Sequence, residues 1–510
     1  MHIKFCHLGR EHLGIEYLSA VLKQSGLDVT TSLTYDPGYF SKQDNTIYNP
    51  FLEKVFSREK EMLSEICREK PEVVAFSAYT ANFEWIKRFA KTVKDHIDTK
   101  IVVGGSHATL VPEIVIAAPA VDFVVIGEGE NTFLELVRFL ENPKGNCDID
   151  NVYYKKNGEV VKNRISPRLI SDLDSLPYPD RGLFEKHISY KDDLLALTSR
   201  GCPNSCTFCC ESFMNKIYGE KYFRQRSVRS MIAELDYMKA RYQFKQIIFF
   251  DNIFHYNKDW MLKFLKEYRT HIRVPFKCMG HVDLFDRETA VALKESHCYA
   301  VNFGVQSMNA DTREKVLNRN TLNEQVTKAF SLCDEVGLWF DPDLMFDLPG
   351  EKNDEIPQAA PFFKKFKMLN RIKCFNICYF PKLEIIDIAL REGALTETDI
   401  RNIENGESDG FFRILSPQKK EKGRAAASLK KFYAILPVLP LNWVRYLSSG
   451  KRYLGLYYLP EFLVIAIQVF IGIKNKDRRF FFYFKNYLRR VRDLFLKLTA
   501  GIKGVFPGRD

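Results

Sequence analysis

The chain has 510 residues, 46% hydrophobic and 27% charged. At roughly 150 residues per domain this makes about three folded domains, and the composition excludes a disordered or collagen-like polymer. Twelve cysteines are too sparse for a disulfide scaffold, and the start, Met1-His2-Ile3-Lys4-Phe5-Cys6, holds no long apolar run before a small-residue cleavage site, so a cytoplasmic chain with reduced thiols is expected. The net charge of +11 sits at one end: residues 411–510 carry 21 Lys and Arg against 5 Asp and Glu, the first 410 residues 54 against 59. An anionic partner, nucleic acid or membrane surface, would be met by that end alone.

Residues 1–147 read as a doubly wound α/β domain. Apolar runs at 3–6, 73–77, 101–103 and 123–126 are short enough for strands buried on both faces. Phe83, Ile86, Ala90 and Val93, and then Phe133, Leu136, Val137 and Leu140, repeat at helical spacing. Alternating β and α implies a parallel sheet with helices on both faces, which binds ligands beyond the strand carboxyl ends. Gly9, Gly104-Gly105 and Gly127-Glu128-Gly129 follow the strands at that edge, where bare backbone can approach a large ligand. Residues 148–189 read as a linker. Asn157-Gly158 between apolar pairs signals a hairpin, and Pro167, Pro177 and Pro179 break regular structure.

Residues 190–400 read as a second α/β unit. Strands are expected at 194–198, 246–250, 276–280, 299–305, 339–346 and 374–380, and helices at 228–242, 258–271, 287–296, 322–336 and 355–369. Six βα units in sequence imply a partial (β/α)6 barrel with its chemistry at the strand carboxyl ends.

Directly after the first of these strands, Cys202, Cys206 and Cys209 are spaced C-x3-C-x2-C. Three thiolates on a short loop hold three irons of a [4Fe-4S] cluster and leave the fourth open. Structural zinc wants four ligands in paired knuckles, and no second C-x2-C pair follows. Cys210 breaks the spacing and reads as a spare thiol.

This loop, with Phe208 before its last cysteine, resembles the radical S-adenosylmethionine (SAM) superfamily. The resemblance implies that SAM chelates the open iron and is cleaved by one electron to a 5′-deoxyadenosyl radical. Four further segments match in order. The stretch Gln225 to Arg229, with Ile232 and Glu234, looks like the family's lead into its second helix. Phe249-Phe250-Asp251-Asn252 looks like its F-x-D-[DE] strand end, with Asp251 the candidate near the SAM amino group. Gly304-Val305-Gln306-Ser307 looks like G-[VI]-E-S with Gln in place of Glu. Asp347-Leu348-Pro349-Gly350-Glu351 looks like G-L-P-G-E with Asp347 in place of glycine. Phe208, Asp251, Gln306, Ser307 and Pro349 are thus the SAM-binding candidates.

The first domain in turn resembles the cobalamin-binding domain that precedes the barrel in one large subfamily. The matching segments are 14–20, Gly104-Gly105-Ser106-His107, Asp122 to Glu130, and the connector Asp172-Leu173-Asp174-Ser175-Leu176-Pro177-Tyr178-Pro179. This makes Gly9, Ser77, Thr80, Gly104, Gly105, His107, Gly127, Glu128 and Gly129 the cobalamin-binding candidates. The D-x-H-x-x-G axial-ligand pattern is not met by Gly9-Arg10-Glu11-His12-Leu13-Gly14, so His12 and His107 are expected to be loop residues and not cobalt ligands. The likeness covers roughly residues 1–390 and implies a radical enzyme that methylates an unactivated carbon; the C-terminal tail described below adds the expectation of a hydrophobic or lipid-like substrate. A reductant such as a ferredoxin or flavodoxin is then a partner. A cyclase or oxidase using the same radical is the alternative, and an electron-transfer or cobalamin-binding protein is the alternative of another class. Cys374, Cys378 and Tyr379 on the last strand are candidates to line the substrate pocket or donate a hydrogen atom, against a plain packing role.

Residues 401–510 read as a basic, mostly helical region. The apolar run 462–473 falls short of the ~20 residues of a spanning helix, and Pro460-Glu461 interrupts its extension. Lys474, Lys476, Arg478 and Arg479, the aromatic run 480–484, then Lys485, Arg489, Arg490 and Arg492 place aromatics beside cations, as in helices that lie on a membrane. A basic cap on the barrel is the alternative, and no nucleic acid is expected.

Overall fold

The computed structural model describes residues 1–38, 50–351, 356–407 and 420–475, with Asp477, Leu488, Arg492 and Phe495. Its first sheet is built from β1 (His2–Leu8), β2 (Thr30–Asp36), β3 (Val73–Ser77), β4 (Lys100–Gly104), β5 (Phe123–Val125), β6 (Val152–Lys156) and β7 (Glu159–Lys162), in the order 2-1-3-4-5-6-7. The first five are parallel, and the β6–β7 hairpin joins antiparallel. Alternate residues bury on opposite faces: Val73, Ala75 and Val102 in one core, Val74, Phe76 and Val103 in the other. That is why these strands read as unbroken apolar runs. The order reverses between β1 and β3, which opens a crevice at their carboxyl ends.

Two features depart from the expectation. β2 was not anticipated, because its sequence Thr-Thr-Ser-Leu-Thr-Tyr-Asp buries only its second half. The hairpin, expected in the linker, extends the first sheet. Asn157 and Gly158 at its turn both have positive φ, the geometry that suits a two-residue hairpin.

The second sheet is parallel and strictly sequential: β8 (Leu194–Ala196), β11 (Ile247–Phe249), β12 (Phe276–Gly280), β13 (Cys298–Gln306), β14 (Trp339–Phe346) and β15 (Lys373–Asn376). A two-stranded ribbon, β9 (Ser199–Arg200) with β10 (Arg224–Gln225), stands at the end of β8. Ser227, Asn257 and Asp286 cap the helices Val228–Tyr242, Lys258–His271 and Arg287–Glu295 by accepting backbone N–H bonds of 3.1, 3.1 and 2.8 Å. The helix expected over 355–369 shrinks to a 3-10 turn, Ile356–Ala359, and the four-residue helix Ala360–Phe363. Pro357 and Pro361 lack the N–H groups a longer helix would need. The last strand ends at Asn376, so Cys374 and Cys378 do not share a strand face. The expected boundary at 400/401 falls inside the helix Glu397–Glu404.

Beyond the barrel, helix Lys420–Ile435 packs against β15 and against helix Glu461–Lys474, while helix Leu441–Ser448 packs on Ala360–Phe363. Among the described residues no single helix is long and apolar enough to cross a membrane; the segments Arg452–Tyr458 and Glu461–Lys474 are bent by 105° at their junction.

The linker is anchored by Arg181. Its guanidinium, almost fully buried, lies 2.9 Å from Glu16 Oε2, donates to Glu11, and donates to the Leu195 carbonyl on the first barrel strand. Tyr190 adds a 2.9 Å hydrogen bond to Glu16. Replacing only the cation leaves two carboxylates buried together. Arg181→Met is therefore expected to cost about 3–5 kcal/mol, read as a lowered denaturant midpoint.

Candidate functional site

The cysteine loop is set on the end of β8 and held by its neighbours. Asn215 donates to the carbonyls of Cys202 and Asn204 at 2.6 and 3.1 Å. Asn318 donates to the Ser205 carbonyl at 3.0 Å, and Thr207 Oγ1 to the Val316 carbonyl at 2.6 Å. Cys202 and Cys206 are buried and Cys209 half-buried. Burial pushes the Cys202 thiol up to about 11 and raises that of Cys209 as well, so thiolates there need the positive charge of bound iron. Among the described residues no three His, Cys, Asp or Glu side chains converge on one metal ion. Arg319, not singled out from sequence, reaches Cys206 Sγ with Nη1 at 3.7 Å and the Gly304 carbonyl with Nη2 at 2.7 Å. It aims a cation at the Cys206 sulfur. Cys210 starts the helix Cys210–Tyr218 instead.

The SAM motifs gather at the same barrel end, but several of their residues act on each other. Asp251 Oδ1 accepts from the Thr198 amide, Thr198 Oγ1 and Ser199 Oγ at 3.0, 2.7 and 2.5 Å. Burial raises the pKa of this fully enclosed carboxyl, and it braces the end of β8. Ser307 Oγ hydrogen bonds to Glu351, which ties the end of β13 to the loop after β14. Pro349 is buried beside it. Phe208 packs against an apolar cluster of Leu317, Leu348, Ile377, Tyr379 and Leu110 of the first domain. Gln306 stays half-buried, and both it and Asp347 have positive φ, 70° and 61°. The conformation explains the glycine that the family carries at the Asp347 position, and aspartate is among the few other residues that tolerate it. Arg226 is not at the site: it is buried against Glu234 under the second helix.

At the edge of the first sheet, Ser77, Gly104, Gly105, Gly127 and Gly129 are half-buried around the crevice, a backbone surface that fits a flat macrocycle. The glycines have a nearer cause than a ligand. A Cβ on Gly105 would lie 2.6 Å from the Ala78 carbonyl oxygen, and one on Gly127 2.2 Å from the hydroxyl of Tyr218. The two imidazoles make local contacts, His12 as the N-cap of the helix Leu13–Gln24 and His107 on the short helix Ser106–Leu110. His12 accepts from the Ile15 amide at 3.3 Å and pairs with Ser77 Oγ at 3.1 Å. His107 is enclosed, pairs with Thr80 Oγ1 at 3.1 Å and packs on Phe83. Burial lowers the pKa of each to about 4. Thr80 and His107 thus brace the loop from beneath, and Gly9 is buried beside Tyr79.

Glu128 is held by cations of the second domain. It receives two bonds from Arg224 (2.6 and 2.9 Å), lies 3.7 Å from Arg200, and accepts from the Ile170 amide at 2.9 Å. Against the burial that would raise it, these cations hold its carboxyl below the usual range. Glu130 takes Arg200 Nη2 at 2.6 Å. Arg200 and Arg224 face each other across the β9–β10 ribbon, and Arg200 stands two residues before Cys202. The glycine loop of one domain is therefore clamped to the cysteine loop of the other.

The remaining candidates divide: Cys374 lies away from the cysteine loop, whereas Cys378 and Tyr379 lie beside it. Cys374 is half-buried on β15, within electrostatic range of Lys430 on the helix Lys420–Ile435. Cys378 and Tyr379 lie past the strand end; Cys378 neighbours Cys210, and Tyr379 neighbours Asp347. Burial raises all three pKa values.

Two family models match the chain: the B12 binding domain over residues 10–137 and the radical SAM superfamily over residues 197–363. An uncharacterized methyltransferase of Pyrococcus horikoshii is 30% identical over 304 residues, 58% of this chain and 64% of that protein. The anaerobic magnesium-protoporphyrin IX monomethyl ester cyclase of Rubrivivax gelatinosus is 24% identical over 59% of this chain and 55% of its own. The chain thus spans less than two thirds of either relative. Among solved structures, the cobalamin-dependent SAM radical enzyme OxsB, with aqua-cobalamin and SAM bound, shares the fold with a TM-score of 0.61 at 14% identity, covering 100% of this chain and 82% of that one.

Removing the cation beside Cys206 makes an added electron less stable. Arg319→Leu is therefore expected to lower the reduction potential of the reconstituted cluster by on the order of tens of mV, followed by an EPR-monitored redox titration, whereas Cys210→Ala leaves it unchanged.

Proposed function

We propose that this chain, which carries a B12 binding domain followed by a radical SAM domain, is a cobalamin-dependent radical SAM methylase acting on an unactivated carbon of a hydrophobic small molecule. The observation that carries this reading is the clamp of Glu128 and Glu130 on Arg224 and Arg200, which fixes the two cofactor loops against each other. Bound there, the cluster supplies the electron that cleaves SAM, and cobalamin supplies the methyl group. The chain's own residues hold and orient. Cys202, Cys206 and Cys209 ligate the cluster, Arg319 biases its charge, and the Ser307–Glu351 bond locks the strand ends that flank SAM.

The C-terminal helices extend the reading to a membrane surface. On Glu461–Lys474, Val464, Ile471 and Gly472 pack inward, while Phe462, Ala466, Phe470 and Ile473 form an exposed stripe; Phe462 and Phe470 are 67% and 58% exposed. An apolar stripe in water marks a contact surface, and Lys474 borders it. The cationic and aromatic residues expected to continue it, 476 and 478–485 with Arg489 and Arg490, lie outside the described residues.

Anaerobically reconstituted protein, supplied with reductant, SAM and cobalamin, is expected to form both 5′-deoxyadenosine and S-adenosylhomocysteine, measured by mass spectrometry. Both products should vanish in the Cys202→Ala, Cys206→Ala, Cys209→Ala triple variant. 5′-Deoxyadenosine alone would retain the radical chemistry and replace methylation with cyclisation or oxidation. For the surface, full-length Phe462→Ser, Phe470→Ser is expected to float with anionic liposomes at least roughly tenfold less than the wild type, since each lost ring forfeits about 1.5–3 kcal/mol of apolar transfer. Equal flotation would remove the membrane from the proposal.

A further inference from the structure

The inside of the barrel is divided into two unlike walls. On β8 and β11, Leu194, Ala196, Ile247 and Phe249 turn toward the helices and are buried. The alternate strand residues Leu195 and Ile248 therefore face the interior and are half-buried; Leu197 and Phe250 follow directly past the strand ends, half-buried and 57% exposed. This wall is apolar. The wall made by β12 to β15 is ionic. Lys277, Asn302, Asp341, Asp343 and Lys373 come from four consecutive strands and meet one another across the interior.

Two lysine–aspartate pairs stand one above the other on this wall, and they differ. The lower is closed and dry. Lys277 Nζ donates to Asp341 Oδ2 at 3.1 Å and to Asn302 Oδ1 at 3.2 Å, and Asn370 closes the other Asp341 oxygen at 2.9 Å. The upper pair is open. Asp343 and Lys373 sit opposite in register on β14 and β15, yet Nζ and Oδ1 are 4.0 Å apart, and the side chains keep 22% and 27% of their exposure. Asn302 bridges them, donating to Asp343 Oδ2 and accepting from Lys373. Asp343 Oδ1 has no hydrogen-bond partner. An enclosed acceptor left unmet is costly, and beside it Lys373 has donors to spare.

We propose that Asp343 and Lys373, aligned by Asn302, form the polar end of the substrate pocket, and that the substrate is an amphiphile bearing a neutral group that donates and accepts at once, a hydroxyl or a carboxamide. Such a group donates to Asp343 Oδ1 and accepts from Lys373 Nζ. Two lysines and two aspartates already balance, so an ionic group would leave net charge in a partly dry interior. The apolar body of the substrate lies against Leu195, Leu197, Ile248 and Phe250. The pair stands two residues below Met345 along β14, roughly 6.6 Å at 3.3 Å per residue, which places the remainder of the molecule upward toward the cysteine loop. This deepens the methylase reading and rests on it.

The test uses the full-length, cluster-loaded protein and four probes of one chain length: octan-1-ol, octanamide, octanoate and octylammonium, followed by ligand-observed NMR. Wild type is expected to bind the two neutral probes at least about tenfold more tightly than either ion. Asp343→Asn leaves an excess positive charge and should turn the preference to octanoate. Lys373→Met leaves an excess negative charge and should turn it to octylammonium. Unchanged cluster absorbance in both variants certifies the fold, and a selectivity that reverses in opposite directions is not produced by loosened packing. Equal affinity for all four probes, binding of none, or variants that keep the wild-type order would each overturn the pocket. Wild-type protein that binds the probes in the expected order but does not cleave SAM would overturn the methylase reading and leave the pocket standing.

Discussion

Two carboxylates, one on a glycine loop and one in the helix turn that follows it, and two guanidiniums on a two-stranded ribbon hold this molecule in its working shape. Glu128 and Glu130 belong to the first domain, as N-cap and first-turn residue of the helix Gly129–Glu141; Arg224 and Arg200 belong to the strands that carry the cysteine loop. A partly buried ion pair adds little net stability, since desolvation offsets most of the attraction, but it is costly to break on one side only. Its value here is geometric. Chemistry shared between two bound groups needs a fixed separation, and this clamp acts directly between the loops that would carry them. Arg181 repeats the device at the linker, with one buried guanidinium joining Glu11 and Glu16 to the start of the barrel.

Local signals carried most of the fold. Runs such as Val73–Ser77 announce strands because both faces are buried, and Ser227 or Asn257 announces a helix start because its side chain caps the first turn. What sequence misjudged depends on distant partners. β2 is an edge strand, half polar, and only its pairing with β1 makes it a strand. The hairpin was legible from Asn157-Gly158, but its place in the first sheet depends on pairing with β5, roughly thirty residues earlier. Pro357 and Pro361 were visible and should have shortened the helix drawn through them.

The site divides the same way. The cysteines were legible because all three ligands lie within eight residues. Glu128 was placed at a cofactor because its loop resembles a cofactor loop; the partner seen in the structure, Arg224, lies 96 residues away and could not be read from that loop. Ser307 and Glu351 were each placed in a motif, but nothing in either motif says that they bond to each other. Arg319 sits in Leu317-Asn318-Arg319-Asn320, a stretch with no pattern of its own, and only the return of that loop over Cys206 gives it a role. Asp347 carried a faint signal, as a non-glycine where glycine is usual, which the positive φ of the backbone makes intelligible.

The chain also closes on itself in a way that bears on its synthesis. Gly406, past the barrel, packs so tightly on Phe83 of the first domain that a Cβ there would lie 2.7 Å from the ring's own Cβ. The first sheet is therefore gripped from one side by residues near 200 and from the other by residues near 406. At roughly 5–20 residues per second on the ribosome, on the order of tens of seconds separate the emergence of the Gly127–Glu130 loop from that of the second grip. Until residue 406 has emerged its contact with Phe83 cannot form, so the last closure of the chain on its first domain comes late in synthesis.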